Sequence, residues 1–452
     1  MTASTHLVPQ VSGPVLDGAD PRVAVEVAAF NTTHTARPAV VVGATGTADV
    51  VAAVRWATAN GLRVAVQSTG HGLVSDLAGT VLVTTHRMSA VAVDPAARTA
   101  RVGAGVRWAQ VIEAAAPFGL APLSGSASGV GVVGYTLGGG LGPLARRHGF
   151  AADHVRSVEL VTADGEVRHV DAISDPDLFW ALRGGSGNFG IVTELEFDLV
   201  PVARLYGGGI FFPGAVAADV LHAYRTWVAT LPEETTTSVA LLRLPPLPTL
   251  PEPLRGQFVV HLRVAHLGPA EEGAALLAPM RAVAPALMDL VTDMPFAAVD
   301  SIHMDPTDPM PTWDRGTTLR ELPAEAVDEL LAIAGPDAVV PLIMVELRQL
   351  GGALGRPAAV PNAVAGRDAA FSVWALGPTA GPLAETMPAI TQSVVDRMAP
   401  WAARGALLNF LGAAGPERVA RLWGDADRER LLAVRDRLDP GRVLAPGLAL
   451  TR

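Results

Sequence analysis

An α+β fold in two parts is what this sequence predicts, and three observations carry that expectation. Strand-like and helix-like pieces alternate over the first 200 residues, the middle of the chain changes character, and 452 residues with 50% hydrophobic but only 5% aromatic content can bury a large aliphatic core. A single small module is excluded.

The elements follow in order. Ala39 to Val42 reads as a short strand, Thr47 to Asn60 as a helix capped by Thr45 or Thr47, and Arg63 to Gln67 as the next strand. Runs at Thr80 to Thr84, Ala90 to Asp94 and Thr99 to Val102 are β-rich, and a helix is expected from Trp108 to Phe118. Ser157 to Thr162 and Val167 to Asp171 form a hairpin, because Asp164-Gly165 supplies the positive φ of its turn. A helix over 175 to 184 leads to a strand from Ile191 to Leu199, and a boundary falls near Pro201. Beyond it, Phe258 to Val264 and Leu342 to Leu347 are strand-like, with helices at Ala215 to Leu231, Glu271 to Val283 and Leu383 to Met398. The proline-rich stretches 245–253 and 355–366 read as loops, and a last helix is expected from Pro416 to Leu438.

Charge and composition bound the partners. A net charge of −10 without a basic run argues against nucleic acid and anionic membranes. There is no cysteine, hence no disulfide, thiolate metal site or cysteinyl cofactor link, and no lysine, a bias that fits a GC-rich bacterial genome. No zinc, calcium or P-loop spacing occurs, so no metal is expected. MTASTHLVPQ does not read as a leader and no run of 18 apolar residues is present, so a soluble, cytoplasmic protein is expected. The oligomeric state stays open.

Two glycine-rich stretches carry the chemistry. In VQSTGHG, 66 to 72, His71 stands between two glycines in a turn after an apolar run, where its imidazole can meet a ring system. In VGVVGYTLGGGLG, 130 to 142, six glycines leave amide N–H groups uncovered, a lining that holds phosphates without cationic side chains. The second stretch lacks the strand-turn-helix unit and downstream acid of a nicotinamide-binding fold. On the strand near 346, Glu346 and Arg348 lie two apart and share a face, as a base or substrate ligand or as a structural ion pair. His261 and Arg263 share a face too, as a functional pair or as a solvated sheet face.

These motifs, with DLFWALRGGSGNFGIV, NFLG and DRLDPGRVL in this order, resemble bacterial berberine-bridge-enzyme-like FAD-linked oxidases of the vanillyl-alcohol oxidase and p-cresol methylhydroxylase superfamily. The resemblance is weaker at ELRQLGGA, 346 to 353. It implies an FAD-binding domain built from residues 1–202 and 405–452, with a substrate domain at 203–404, an antiparallel sheet backed by helices, inserted between them. It implies FAD bound by Gln67, Ser68, Thr69, Gly70, His71 and Gly72, by Ser126, Val130, Gly131, Gly134, Tyr135, Gly139 and Gly140, and by Gly187, Asn188, Gly190, Ile191 and Val192. His71 would carry the flavin covalently, and only once, since Ala127 stands where bicovalent members have cysteine. Val130 falls where family oxidases have a small residue beside flavin C4a, leaving oxygen a path.

The departures bear on catalysis. Leu407 replaces the tyrosine base of many members, and no tyrosine follows Tyr224. Arg442 and Leu444 replace a common asparagine and phenylalanine, and PGLAL stands where asparagines often touch the flavin. Glu346, Arg348 and Asn409 remain as catalytic candidates. The function implied is an FAD-dependent oxidase taking two electrons from an alcohol, amine or activated C–H of a bacterial secondary metabolite and passing them to O2. A cyclase or isomerase without net redox, and an inactive flavin carrier, are the alternatives.

Overall fold

A computed structural model describes residues 11–452, and MTASTHLVPQ lies outside the described residues. Three sheets organise the chain. In the first, Val40–Gly43, Val81–Thr84 and Val64–Gln67 are parallel, and Val15–Asp17 adds an antiparallel edge. Valines at 40, 41, 42, 81 and 83 are fully buried, as parallel strands covered on both faces require, and each contributes ~1.5–3 kcal/mol. The connecting helix Thr47–Ala59 supplies Val50, Ala53, Val54 and Ala57 to that core.

The second sheet is antiparallel, in the order Val91–Asp94, Thr99–Gly103, Ile191–Asp198, Val155–Val161, Val167–Asp171. The third has eight antiparallel strands. Its central order is Arg204–Pro213, Phe258–His266, Thr235–Arg243, Met344–Gln349, Phe371–Pro378, Thr312–Leu319, with Met288–Asp289 and Thr292–Pro295 at the first edge. Alternation along these strands divides the sheet. Val239, Leu241, Leu262, Val264, Val345, Leu347, Val373 and Ala375 pack on helices Ala217–Trp227, Ala324–Ala334 and Leu383–Arg397. The other face turns polar groups toward the glycine-rich loops.

Several expectations need correction. The helix over Pro416–Leu438 is two, Pro416–Ala420 and Asp425–Leu438, because the extended Gly424 starts a new helix with Asp425 and Asp427 in its first turn. The 108–118 helix is α-helical only over Trp108–Ala115 and tightens to 3-10 where Pro117 enters. Gly46, and neither threonine, caps Thr47–Ala59, since Asp49 takes the Thr45 amide and hydroxyl for itself. No helix among the described residues is long and apolar enough to cross a membrane.

Candidate functional site

The loop after Val64–Gln67 owes its shape to Gly70, at φ +69°, where a Cβ would lie 2.3 Å from that of Ala29. That close approach brings Phe30 onto His71, rings stacked at 4.1 Å and 6°. Thr69 Oγ1 lies 2.7 Å from His71 Nδ1 and fixes the ring from its other side. Burial, and then the Arg107 charge, push His71 down to about 4, so the ring is neutral at physiological pH. A neutral imidazole keeps a lone pair, which nucleophilic attachment to a cofactor ring requires.

The second loop lies against the first, since a Cβ on Gly131 would sit 3.1 Å from Ser68 Oγ. Gly131 precedes the short helix Val132–Leu137, in which Gly134 alone is exposed while its neighbours are buried, and a Cβ there would meet nothing within 4 Å. Gly72 and Gly187 are open in the same way. Gly140, at φ +78°, could not carry a Cβ, which would lie 2.5 Å from the Tyr135 ring. Gln67 Oε1, Ser68 Oγ, Ser124 Oγ, Tyr135 Oη and Thr136 Oγ1 are buried here without a hydrogen-bond partner. Polar atoms are seldom left so, and their gathering about an open glycine lining fits a phosphate- and ribose-bearing cofactor.

The remaining cradle candidates divide. Gly139 has φ +111° beside Gly140, and Ser126 and Val130 are half-buried at the rim. Asn188 is spent on the chain itself, donating to the Gly185 and Leu448 carbonyls and accepting from Leu450 N at 2.9 Å. Gly190 packs on Leu160, while Ile191 and Val192 are core residues of their strand. Asn409 is also taken by the backbone, donating to Tyr135 O and accepting from Gly140 N. Its amide shapes the glycine loop.

The inner face of the eight-stranded sheet holds the charged groups. Cross-strand register sets Arg263, Ser238, Arg348 and Ser372 in one row and His261, Ala240, Glu346 and Trp374 in the next. Glu346 is fully buried, with Oε1 2.5 Å from Arg263 Nη1 and Oε2 2.7 Å from Arg348 Nε. Burial works against its charge, but the two arginines prevail and hold the carboxyl below the usual glutamate range. The ion pair expected as an alternative is thus present, and Arg263 joins it. His261 and Arg263 are 0% and 2% exposed, so the solvated face expected for them is corrected: the ring of His261 stacks on Phe211 at 3.9 Å over Gly209, whose missing side chain makes room. Burial, then the neighbouring arginines, keep His261 and His303 neutral.

Sequence reasoning passed over Asp314. Burial raises its carboxyl above the usual aspartate range, against the Trp374 N–H that donates to Oδ2 at 2.9 Å. Its only signal was alternation within Thr312–Leu319, a strand hidden by threonines and glycine. His303 and Phe30 were invisible because loops bring them in. Among the described residues no group of three or more His, Cys, Asp or Glu could hold a metal.

The fold and this lining define a flavoprotein. Residues 38–171 match the family described as "FAD binding domain". The chain is 38% identical over 174 residues to (R)-6-hydroxynicotine oxidase of Paenarthrobacter nicotinovorans, an alignment covering 38% of each. It is 38% identical over 175 residues to an FAD-dependent monooxygenase of Fusarium proliferatum, covering 38% of this chain and 34% of that protein. The chain thus spans little over a third of the curated relatives it matches. Over whole chains, it superposes on the crystal structure of 6-hydroxy-D-nicotine oxidase from Arthrobacter nicotinovorans with TM-score 0.83 and 24% identity, covering 96% of both. For the Physcomitrella patens BBE-like 1 protein the TM-score is 0.86 at 20% identity, covering 100% of both. The fold is therefore that of the FAD-linked oxidases of the vanillyl-alcohol oxidase and p-cresol methylhydroxylase type, and the cofactor is FAD.

Proposed function

We propose that this chain is a berberine-bridge-enzyme-like oxidase of bacterial origin that takes two electrons and two protons from an alcohol, amine or activated C–H of a secondary metabolite and gives them to O2, releasing H2O2. The observation that carries this reading is the His71 site, a neutral imidazole held between Phe30 and Thr69 at the mouth of a glycine lining full of unpaired buried polar atoms. Residues 1–202 and 405–452 would form the FAD-binding part and residues 203–404 the substrate part. Bound FAD would accept hydride from the substrate and pass the electrons to oxygen. His71 would bear it through one covalent bond, with Gln67 to Gly72 and Ser126 to Gly140 about its phosphates.

The protein's own part is to hold the substrate and remove a proton. Glu346 is a poor base, since two arginines stabilise its ionised form. Asp314 suits the task better, because burial raises its proton affinity against the pull of the Trp374 N–H. Tyr135 does not replace the missing tyrosine base, as burial raises its phenol and keeps it protonated.

Acid precipitation of the purified protein, with His71→Ala beside it, tests the reading. Yellow colour should stay in the wild-type pellet and move to the supernatant in the variant. Stoichiometric peroxide during turnover supports the oxidase, whereas turnover without oxygen or flavin bleaching would favour a cyclase. A colourless wild-type protein would sink both.

A further inference from the structure

Two arginines and one carboxylate meet on the inner sheet face, and the sum is one uncompensated positive charge, +2 − 1 = +1, beside two neutral histidines. The guanidinium of Arg263 is engaged at two nitrogens, Nη1 donating to Glu346 and Nε to His261, while Nη2 faces the Met344 sulfur. Arg348 differs. Its Nε binds Glu346, but neither terminal nitrogen has a hydrogen-bond partner among the described residues. The Phe410 ring lies 4.9 Å from its Cζ and gives the plane a backstop.

Those free nitrogens belong to a residue lining a narrow cleft between the glycine loop at Leu141, Gly142 and Pro143 and the sheet at Ser238, Arg263 and Arg348, with His303 closing one side. His303 Nδ1 is buried without a partner, and its Nε2, 3.9 Å from Glu346, is too far for a hydrogen bond. An arginine nine-tenths buried with an open fork is costly unless an acceptor completes it, and the planar fork matches a carboxylate in two parallel hydrogen bonds.

Resting on the proposed function, we infer that the substrate of this site carries a carboxylate, which binds Arg348 in the cleft beside His303. Glu346 is then a positioning residue. It holds Arg263 and Arg348 in place and, by its own charge, limits the affinity for the anion. The cluster selects among substrates by charge and leaves proton removal to another group.

Benzoate and its neutral isostere benzamide, titrated by calorimetry into the protein as isolated, test this. Benzoate should bind more tightly by about tenfold or more, the scale of a charge-assisted pair of hydrogen bonds. Arg348→Gln should erase that preference while leaving benzamide unchanged, and Glu346→Gln should raise benzoate affinity. Equal binding of the two probes, or binding of neither, overturns the inference, as does benzoate affinity that survives Arg348→Gln. If a variant fails to fold, the wild-type pair still decides. A protein that loads no FAD would defeat the proposed function alone, because heat, not flavin colour, reports the anion.

Discussion

Asn409 reaches across 274 residues of chain to donate from Nδ2 to the carbonyl oxygen of Tyr135 at 3.0 Å. Its Oδ1 accepts from the Gly140 amide, so one side chain from the C-terminal segment ties the last turn of the helix Val132–Leu137 to the glycine loop that follows it. The space is tailored to it, since a Cβ on Gly138 would lie 2.5 Å from Oδ1.

Removing that amide should therefore loosen the glycine lining itself. Asn409→Ala is expected to cost ~1–3 kcal/mol, the penalty for leaving buried backbone groups unpaired. FAD content should fall with it. Urea denaturation and the ratio of flavin to protein absorbance check both, and Asn409→Asp, which keeps the acceptor and loses the donor, should fall between. Full FAD loading in the alanine variant would refute the assignment.

Glu346→Gln leaves two buried guanidinium groups facing each other across a neutral amide. Breaking a buried ion cluster by removing one partner costs on the order of 3–5 kcal/mol. We expect a lower urea midpoint, partly restored by saturating benzoate, because a ligand bound only by the folded state stabilises it. A midpoint equal to wild type would mean the arginines are less closely held than 2.5 and 2.7 Å imply.

A buried histidine contributes to the response to acid. His148 is held down to about 4, first by burial and then by its neighbours His154 and Arg147. In the unfolded chain it titrates near 6.5. Between those values the unfolded state binds protons that the folded state refuses, so stability is complete above about 6.5 and falls as pH drops toward 4. Melting temperature against pH should show that decline, and His148→Gln should make it shallower. An unchanged slope would contradict the burial of this ring.

Much of this arrangement is legible in the sequence, for local reasons. The valine runs, the Asp164-Gly165 hairpin and both glycine loops announce themselves because each is determined by neighbours in the chain. Arg204–Pro213 does not: Gly207 to Gly209 interrupt its apolar pattern, yet Gly208 at φ +142° lets that strand run beside Leu290, and Gly209 leaves space for His261. Thr312–Leu319 and Phe371–Pro378 escape because their value lies in register. Only cross-strand pairing shows that Glu346 meets Arg263 from a strand 83 residues earlier, and that a seemingly solvated pair is buried. Sequence spacing shows which residues share a strand face, but not what covers it.

Asp314 is the last test, and it separates proton removal from charge recognition. Its carboxyl sits beside Trp374 on the same sheet face as Glu346, but on the far side of the Trp374–Phe410 pair, whose rings meet edge to face at 5.7 Å. A base must be ionised to act, and burial raises this carboxyl above the usual aspartate range. The acid limb of kcat/KM should therefore lie on the alkaline side of an ordinary aspartate and vanish in Asp314→Asn. That variant should lose ~10²- to 10⁴-fold in kcat while keeping its FAD and its preference for benzoate, because the lost group moves protons and holds neither ligand. Arg348→Gln should do the reverse, raising KM for a carboxylate substrate with the acid limb unmoved. If Asp314→Asn retained kcat and the acid limb, the proton would have to leave by another route, and the sheet face would supply binding alone.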